Sequence, residues 1–317
     1  MVTSVVIRTF PTTSVASSSV SFSTTNGLSN ATFWAGIKEY LNYSTTLCDN
    51  KGFGYNFIRH ASGSNSPGLS FTSSLAFPNR TSAEARSLTR PFFQRLNDVG
   101  IPVTIPSFKR SDVPEMHRET EISPRAIGDS VGNTLIASRL FQRANYADED
   151  AIDELNSAIR QVVEEGGYDF HGQVMNPTLA AAGNPNNAVH PAFRTAIMHT
   201  QAYDINAWWD TTAPVTSVQE QTARHDRLQS YIQNWRDITP NGGSYMNEGD
   251  MQDPEWKQSF FGSNYAKLLR IKEKWDPDGV LWVISGVGSD AWEMRSSSGG
   301  GRDGLFTQDG KLCRANE

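Results

Sequence analysis

Two β-strand patterns joined by a short, turn-forming stretch set the strongest constraint on the fold of this chain. Apolar and polar residues alternate over residues 53–58, and residues 69–77 form a second strand pattern after a segment rich in Ser, Gly and Pro. A parallel crossover needs about a dozen residues or more, usually including a helix. Strands with such a short connection therefore predict an antiparallel sheet.

Further strand patterns and helical patterns follow one another along the chain without strict alternation. Strands are predicted over residues 2–10, 15–23, 101–105, 168–175 and 193–203. Helices are predicted over residues 30–47, 81–100, 148–165 and 253–275, and over a segment that contains Leu228 and Trp235. Residues 107–134 show no periodicity and are interpreted as a long surface loop. This order predicts an α+β fold, an antiparallel β-sheet flanked by helices.

Charge and motif content exclude several classes of function. The net charge is −6 and the pI about 5.6, without a cluster of Lys and Arg, so no nucleic-acid partner is expected. No apolar run is long enough to span a bilayer, so no membrane association is expected. The chain has no Walker A motif, no His-Glu-x-x-His and no Gly-x-Ser-x-Gly. None of its glycine clusters lies between a strand and a helix, as a pyrophosphate-binding loop requires.

The cysteines and the first residues of the chain leave its compartment open. Cys48 and Cys313 are too few for a disulfide framework, and they are interpreted as two free thiols or as one bridge. The chain starts with a strand pattern and has neither the basic start nor the apolar stretch of a signal peptide. The localisation is therefore not predicted.

Histidines supply the candidate substrate-binding residues. The six histidines are scattered, and none has another His or a Cys at metal-ligand spacing, so no metal site is expected. His171, His190 and His199 flank two predicted strands around residues 176–189, and Arg194 lies in the same region. If these strands line a pocket, all four side chains can contact a substrate. Taken singly, each histidine also fits a hydrogen-bonded structural role.

The hexapeptide YMNEGD, residues 245–250, combines a phenol, an amide and two carboxylates. In a strand-like stretch, Tyr245 and Asn247 would point to one face, and Glu248 and Asp250 to the other. A purely structural interpretation is a polar strand end in which Asp250 caps the next turn. Both interpretations remain open at the level of the hexapeptide alone.

The sequence around this hexapeptide resembles a known family. The hexapeptide is followed by DPEWKQSFFGSNYAKLLRIKEKWDPDGVLW and then by GVGSDAW. This combination, Tyr-x-Asn-x-x-Asp with Phe/Tyr-Gly-x-Asn-Tyr and Asp-Pro, resembles the C-terminal signature of the berberine-bridge-enzyme-like flavoprotein oxidases of the vanillyl-alcohol oxidase superfamily, above all their fungal members. The segments VTSVVIRTF, NPNNAVHPAFRTAI and DGKLCR agree with the same group. The resemblance covers nearly the whole chain.

The resemblance implies a fold, a cofactor and roles for individual residues. Residues 1–240 would form the substrate domain, whose antiparallel sheet roofs the isoalloxazine ring of FAD. Residues 241–295, here called the C-terminal segment, would return to the flavin domain, and residues 296–317 would form a tail. Tyr245 and Asn247 match positions near the flavin, and Glu248 stands where plant members often have a Tyr as catalytic base. The covalent attachment sites and pyrophosphate loops of the family have no counterpart in this sequence, so most of the FAD site is expected outside this chain.

The resemblance leads to three hypotheses about function. The first is an FAD-dependent oxidase that acts on an alcohol, a sugar or a secondary metabolite with O2 as acceptor, its FAD-binding half supplied by another chain or missing from this sequence. The second is a non-catalytic substrate-domain fragment that binds a small molecule or a partner chain. The third is a flavin-independent enzyme, such as a cyclase, that reuses the pocket.

Overall fold

The computed structural model of the protein describes residues 4, 12–61, 68–112, 135–204, 218–295 and 311–315, and its centre is a seven-stranded sheet. The strand order is β4-β1-β3-β2-β6-β7-β5, and all neighbours pair antiparallel. The strands are β1 (Ser14–Ser23), β2 (Phe53–Ala61), β3 (Gly68–Pro78), β4 (Lys109–Asp112), β5 (Ile136–Gln142), β6 (Asp169–Val174) and β7 (Ala196–Tyr203). β2 and β3 pair directly, which confirms the expected antiparallel sheet.

Helices cover one face of this sheet, and in the described part of the chain no helix lies over the other face. The helices are α1 (Asn30–Asp49), α2 (Ser82–Asp98), α3 (Glu149–Arg160), α4 (Val218–Ile238) and α5 (Tyr265–Trp275). The first four share one hydrophobic core with the sheet. Its largest fully buried side chains are Trp235, Tyr40, Tyr43, Phe33, Phe71, Phe77, Phe92, Phe93, Phe141 and Phe170. The predicted α+β class is confirmed. None of the helices in the described residues has the length and apolarity that a membrane crossing requires.

Local sequence signals set the helix boundaries. Thr81 Oγ1 accepts a hydrogen bond from Glu84 N, and the Glu84 carboxylate accepts one from Thr81 N, so the predicted capping box at the start of α2 is complete. Asp148 accepts from Ala151 N and caps α3 as predicted. α3 continues into a π-helical turn and ends before Gly167, whose φ of 74° is the left-handed conformation that glycine tolerates.

Several predictions around β4 and β5 are wrong. Residues 101–105 form no strand, because the prolines at 102 and 106 offer no N–H to a sheet ladder. The strand of this region is β4, which lies inside the predicted loop of residues 107–134; residues 113–134 lie outside the described part of the chain. β5 is not predicted at all. All of its residues after the first are buried, so it lacks the alternation that identifies a half-exposed strand.

The predictions for the two ends of the chain fall partly on described residues. The predicted strand of residues 2–10 lies, except for residue 4, outside the described residues. The strand predicted over residues 193–203 begins only at Ala196, after a 3-10 turn over Pro191–Arg194. In the predicted tail, β9 (Lys311–Arg314) pairs with β8 (Trp292–Arg295), while residues 296–310 lie outside the description.

The helix predicted over residues 253–275 is interrupted. A π-helical turn spans Lys257–Phe261, a 3-10 turn spans Gly262–Asn264, and α5 starts only at Tyr265. Gly262 has φ 54°, and a Cβ built on it would lie 2.6 Å from His190 Nε2. The chain therefore breaks its helix where it passes closely over a buried imidazole, a contact that only glycine permits.

The two cysteines are free thiols, so the alternative of one bridge is wrong. Cys48 is buried in α1, and its Sγ lies 2.9 Å from the carbonyl oxygen of Met175. Burial raises the pKa of the Cys48 thiol to about 12. Cys313 lies in β9 and is partly exposed.

Candidate functional site

The sheet face opposite the helices carries an aromatic row beside a patch of buried polar side chains. Alternate residues of a strand point to the same face, and on β2 these are Phe53, Tyr55, Phe57 and Arg59, with Phe53 43% and Tyr55 44% exposed. On β7 the same face carries His199 and Gln201, which are buried. The uncovered face therefore offers flat rings and polar groups side by side.

His171 on β6 is the centre of the polar patch. It lies between Phe57 and Gln201 in the register of the sheet, and its ring stacks on Phe57 at 4.4 Å and 11°. His171 Nδ1 lies 2.7 Å from Gln201 Oε1, which also accepts from the Tyr203 hydroxyl. Because an amide oxygen only accepts, Nδ1 must carry the hydrogen. Nε2 is then a buried lone pair for which the described residues supply no donor.

Burial keeps both histidines of the patch neutral. Desolvation lowers the pKa of His171 to about 4, although the hydrogen bond that its Nδ1 donates to Gln201 acts to raise it. Desolvation also lowers the pKa of His199 to about 4, helped by the nearby His171. At neutral pH the open face thus presents two uncharged imidazoles.

The hexapeptide is not a strand, so the prediction that its side chains alternate between two faces is wrong. Leu140 N donates to Gly243 O at 2.7 Å, and Ser244 Oγ donates to Ser138 O, which fixes the start of the hexapeptide on β5. The chain then turns through a 3-10 turn over Met246–Glu248. In such a turn, side chains three residues apart lie on the same side. Tyr245 and Glu248 therefore share one side.

Both of these side chains contact His199. The ring of Tyr245 meets the imidazole edge-on at 5.7 Å, and Glu248 Oε2 lies 3.5 Å from His199 Nδ1. Because His199 is neutral, this approach is a contact with an uncharged ring and not a salt bridge. Gln201 Nε2 donates to Glu248 Oε2 at 2.6 Å, so Gln201 connects Glu248 with His171. Asn247 Nδ2 donates to the Tyr245 hydroxyl at 2.9 Å.

Asp250 ends the hexapeptide and ties it to α4. Its Oδ2 lies 2.7 Å from His225 Nε2 and also accepts from Gln229 Nε2, and its Oδ1 accepts from Gln252 N at 2.8 Å. Burial alone would lower the pKa of His225, but the carboxylates of Asp250 and Asp226 raise it. The predicted turn-capping role of Asp250 is present, and the larger part of its contacts goes to the helix.

Two of the four predicted substrate-contacting residues lie away from this patch. His190 is buried, its Nδ1 accepts from Ala192 N, and its Nε2 donates to Gln258 O at 2.8 Å. Arg194 donates to Pro177 O at 3.0 Å. Both nitrogens of His190 are thus engaged, and its Nε2 holds the C-terminal segment. The structure brings together His171 and His199 with Tyr245, Asn247 and Glu248, and it leaves His190 and Arg194 outside that group.

Further residues of the patch are absent from the predicted site. The alternation of residues 53–58 already places Tyr55 and Phe57 on one face, but alternation does not tell which face stays uncovered. Gln201 has no sequence signal, because its importance comes from contacts with His171 and Glu248, which are distant in sequence. Among the described residues, no group of three His, Cys, Asp or Glu is arranged to hold a metal ion.

The residues present fit one part of the FAD that the resemblance implies. With the rings of Tyr55 and Phe57 and the neutral imidazoles of His171 and His199, the open face is a flat surface that a heteroaromatic ring can face. For the pyrophosphate, the sequence contains no Gly-rich turn between a strand and a helix. The fit is therefore with the isoalloxazine ring and not with the rest of the cofactor.

Comparisons with known proteins relate this chain to FAD-linked proteins. Residues 244–288 match the family described as Berberine and berberine like. An uncharacterized FAD-linked oxidoreductase of Arthroderma benhamiae is 30% identical over 93% of this chain and 50% of its own length. An FAD-linked oxidoreductase of Gibberella zeae is 27% identical over 99% of this chain and 50% of its own length.

A solved structure shares the fold. A VAO-type flavoprotein of Myceliophthora thermophila superposes with a TM-score of 0.75 at 24% identity, covering 96% of this chain and 50% of that chain. The chain thus spans about half the length of the curated relatives and of the solved structure that it matches.

Proposed function

The chain belongs to the berberine-bridge-enzyme-like flavoproteins of the vanillyl-alcohol oxidase superfamily, and we propose that it supplies the substrate-binding half of an FAD-linked oxidoreductase. The observation that carries this proposal is the packing of Tyr245 and Glu248, both within the berberine-like residues, against His199 on the open face of the sheet. Groups from the C-terminal segment and from the sheet thereby converge on one surface. The half-length match is consistent with a position of the rest of the FAD site outside these 317 residues.

In this proposal each residue of the patch has a role. Tyr245 and Asn247 would face the flavin ring, and Glu248 would take the proton of the substrate hydroxyl. The Glu248 side chain is 40% exposed and is held through Oε2 by Gln201, so Oε1 is available for a substrate. His171 and His199 bind the substrate as neutral groups. Because their pKa values are about 4, neither of them takes the substrate proton in place of Glu248 at neutral pH.

The flavin, when bound, supplies the two-electron acceptor for an alcohol, a sugar or a secondary metabolite, with O2 as final oxidant. The chain itself orients the substrate, holds its hydroxyl proton at Glu248 and excludes water with the rings of Tyr55 and Phe57. Removal of water strengthens every polar contact in the site.

We further propose that the FAD-binding half docks on the C-terminal segment. From the last residue of α5 onward this segment exposes large apolar side chains: Trp275 is 76%, Val280 81% and Leu281 76% exposed. Contiguous exposed apolar surface is typical of interaction sites. Whether that half belongs to the same polypeptide or to a partner chain, the same surface would be covered.

Visible spectroscopy tests the proposal. The chain is purified alone with added FAD, and again after co-expression with the FAD-binding half of the Arthroderma benhamiae relative. We expect no flavin absorbance after desalting in the first case and a yellow complex in the second. Leu281→Asp should reduce the flavin content of the complex, whereas Leu179→Asp, which changes an exposed leucine elsewhere (49% exposed), should not.

Other outcomes would assign the chain differently. Flavin retained by the chain alone would contradict the incomplete site. A colourless preparation after co-expression, with both halves folded, would favour the non-catalytic binding fragment. Substrate turnover by the chain without flavin would favour the cyclase hypothesis.

A further inference from the structure

Arg59 places a positive charge at the edge of the aromatic row. It follows Phe53, Tyr55 and Phe57 on the open face of β2, and its guanidinium carbon lies 4.1 Å from the centroid of the Phe57 ring. The ring of Phe57 in turn stacks on His171. Arg59 is thus built into the wall of the candidate site through two stacked contacts.

The guanidinium of Arg59 has no acidic partner among the described residues, although acids lie in the neighbourhood. Asp169, on the adjacent part of β6, accepts from His60 N and lies 3.2 Å from His60 Nδ1. By contrast, Arg95, Arg143 and Arg160 on the helical side each pair with a carboxylate. As far as the described residues go, the donors of Arg59 are therefore available to a ligand on the open face.

Charges of both signs act on Tyr55. Burial acts first to raise the pKa of Tyr55; among charged groups, Glu248 raises it further and Arg59 lowers it. His171 and His199 stay neutral and add no second positive charge. A ligand that lies against Tyr55 thus has the carboxylate of Glu248 and the guanidinium of Arg59 in its neighbourhood.

We propose that the site takes a planar aromatic substrate that carries a carboxylate, with the carboxylate on Arg59 and the ring against Tyr55 and Phe57. A guanidinium binds a carboxylate through two parallel N–H···O bonds, and its stacking on an aromatic ring holds the plane in place. That the oxidised carbon of this substrate faces Glu248 rests on the proposed function. The carboxylate preference itself depends on Arg59 alone.

Binding to the purified chain, without flavin, tests the inference. The probes are 4-hydroxybenzoate and its neutral counterpart 4-hydroxybenzamide, titrated at pH 7.5 and followed by ligand-detected NMR. A charge-assisted pair at a partly exposed site corresponds to about a tenfold difference in Kd. We expect 4-hydroxybenzoate to bind about tenfold more tightly, and Arg59→Gln to reduce this preference to about twofold or less.

Matched variants make the result specific. Arg86→Gln removes the same charge from the exposed side of α2 and should leave the preference unchanged, and Arg59→Lys should keep part of it because Lys offers a charge without the bidentate fork. Circular dichroism checks that each variant is folded. The inference would be overturned if the wild-type chain bound both probes with equal affinity or bound neither of them. It would also be overturned if Arg86→Gln lost as much of the preference for 4-hydroxybenzoate as Arg59→Gln. Because the assay contains no flavin, these outcomes are independent of whether the chain supports redox chemistry.

Discussion

Replacing Asp250 by Asn removes the charge that joins the hexapeptide to α4 with almost no change in shape. The His225 and Asp250 side chains are 4% and 9% exposed, and their nearest atoms are 2.7 Å apart. Gln229 donates to the same carboxylate oxygen. The variant keeps one oxygen that can accept these bonds but loses the charge that strengthens them.

The expected loss follows from this burial. Hydrogen bonds to a charged group contribute about 1.5–3 kcal/mol each, and removal of one partner from a buried pair costs about 3–5 kcal/mol when the other stays charged. His225 can give up its proton in the variant, so the cost should lie below that second range. We expect Asp250→Asn to lower the free energy of unfolding by about 2–3 kcal/mol near pH 6, against a typical total of about 5–15 kcal/mol.

The loss should depend on pH with a definite sign. The pKa of His225 in the folded chain is raised, so its contribution to stability is fully present below about pH 6.5, the unfolded value, and disappears as the pH rises through the folded pKa. Asp226, which lies 3.2 Å from His225 Nδ1 but is 58% exposed, preserves a smaller part of the effect in the variant. The destabilisation by Asp250→Asn should therefore be largest near pH 6 and smaller at pH 8.5.

Urea denaturation, followed by far-ultraviolet circular dichroism at pH 6, 7 and 8.5, measures the free energy of unfolding of the variant and of the wild-type chain. Asp237→Asn is the matched control, because Asp237 lies on the exposed side of the same helix and Gln233 is its one donor among the residues that the structure describes. The control should change the free energy of unfolding by about 0.5 kcal/mol or less. A loss below about 0.5 kcal/mol for Asp250→Asn at pH 6, or a loss that grows toward pH 8.5, would refute the reasoning.

Three further changes test the site and its support. In a flavin-containing complex, Asn247→Ala should slow flavin reduction in stopped-flow measurements about tenfold or more, because it removes a polar group that orients the reactants. The control Asn186→Ala, at an exposed position, should leave the rate of flavin reduction unchanged. An unchanged rate in Asn247→Ala would remove Asn247 from the site. Gly262→Ala should cost about 2 kcal/mol or more in urea denaturation, since the new Cβ meets an imidazole 2.6 Å away at a φ of 54°, and a neutral result would contradict the close contact. With a thiol reagent at pH 8, Cys313 should react at once and Cys48, whose pKa burial raises to about 12, only after unfolding; two fast thiols in the native chain would contradict this packing.

Elements whose signal lies in their own residues are predictable from the sequence. The capping box of Thr81 and Glu84, the start of α3 at Asp148 and the pairing of β2 with β3 follow from short-range patterns, and the structure contains all of them. β5 is not predictable from such patterns, because neighbouring parts of the chain bury both of its faces and its residues need not alternate between apolar and polar. The helix break at Gly262 is not predictable either, because it is caused by the close approach of His190, which is distant in sequence.

The sequence by itself determined the class of fold, the family signature and the presence of Tyr245, Asn247 and Glu248 in one short segment, since each of these depends on residues close together in the chain. Only the tertiary structure decided what these side chains meet. The 3-10 turn brings Tyr245 and Glu248 to the same side, and the docking of that turn on β5 places both against His199. Which sheet face stays uncovered depends on where the helices pack, and that is the result of burying the whole core at once.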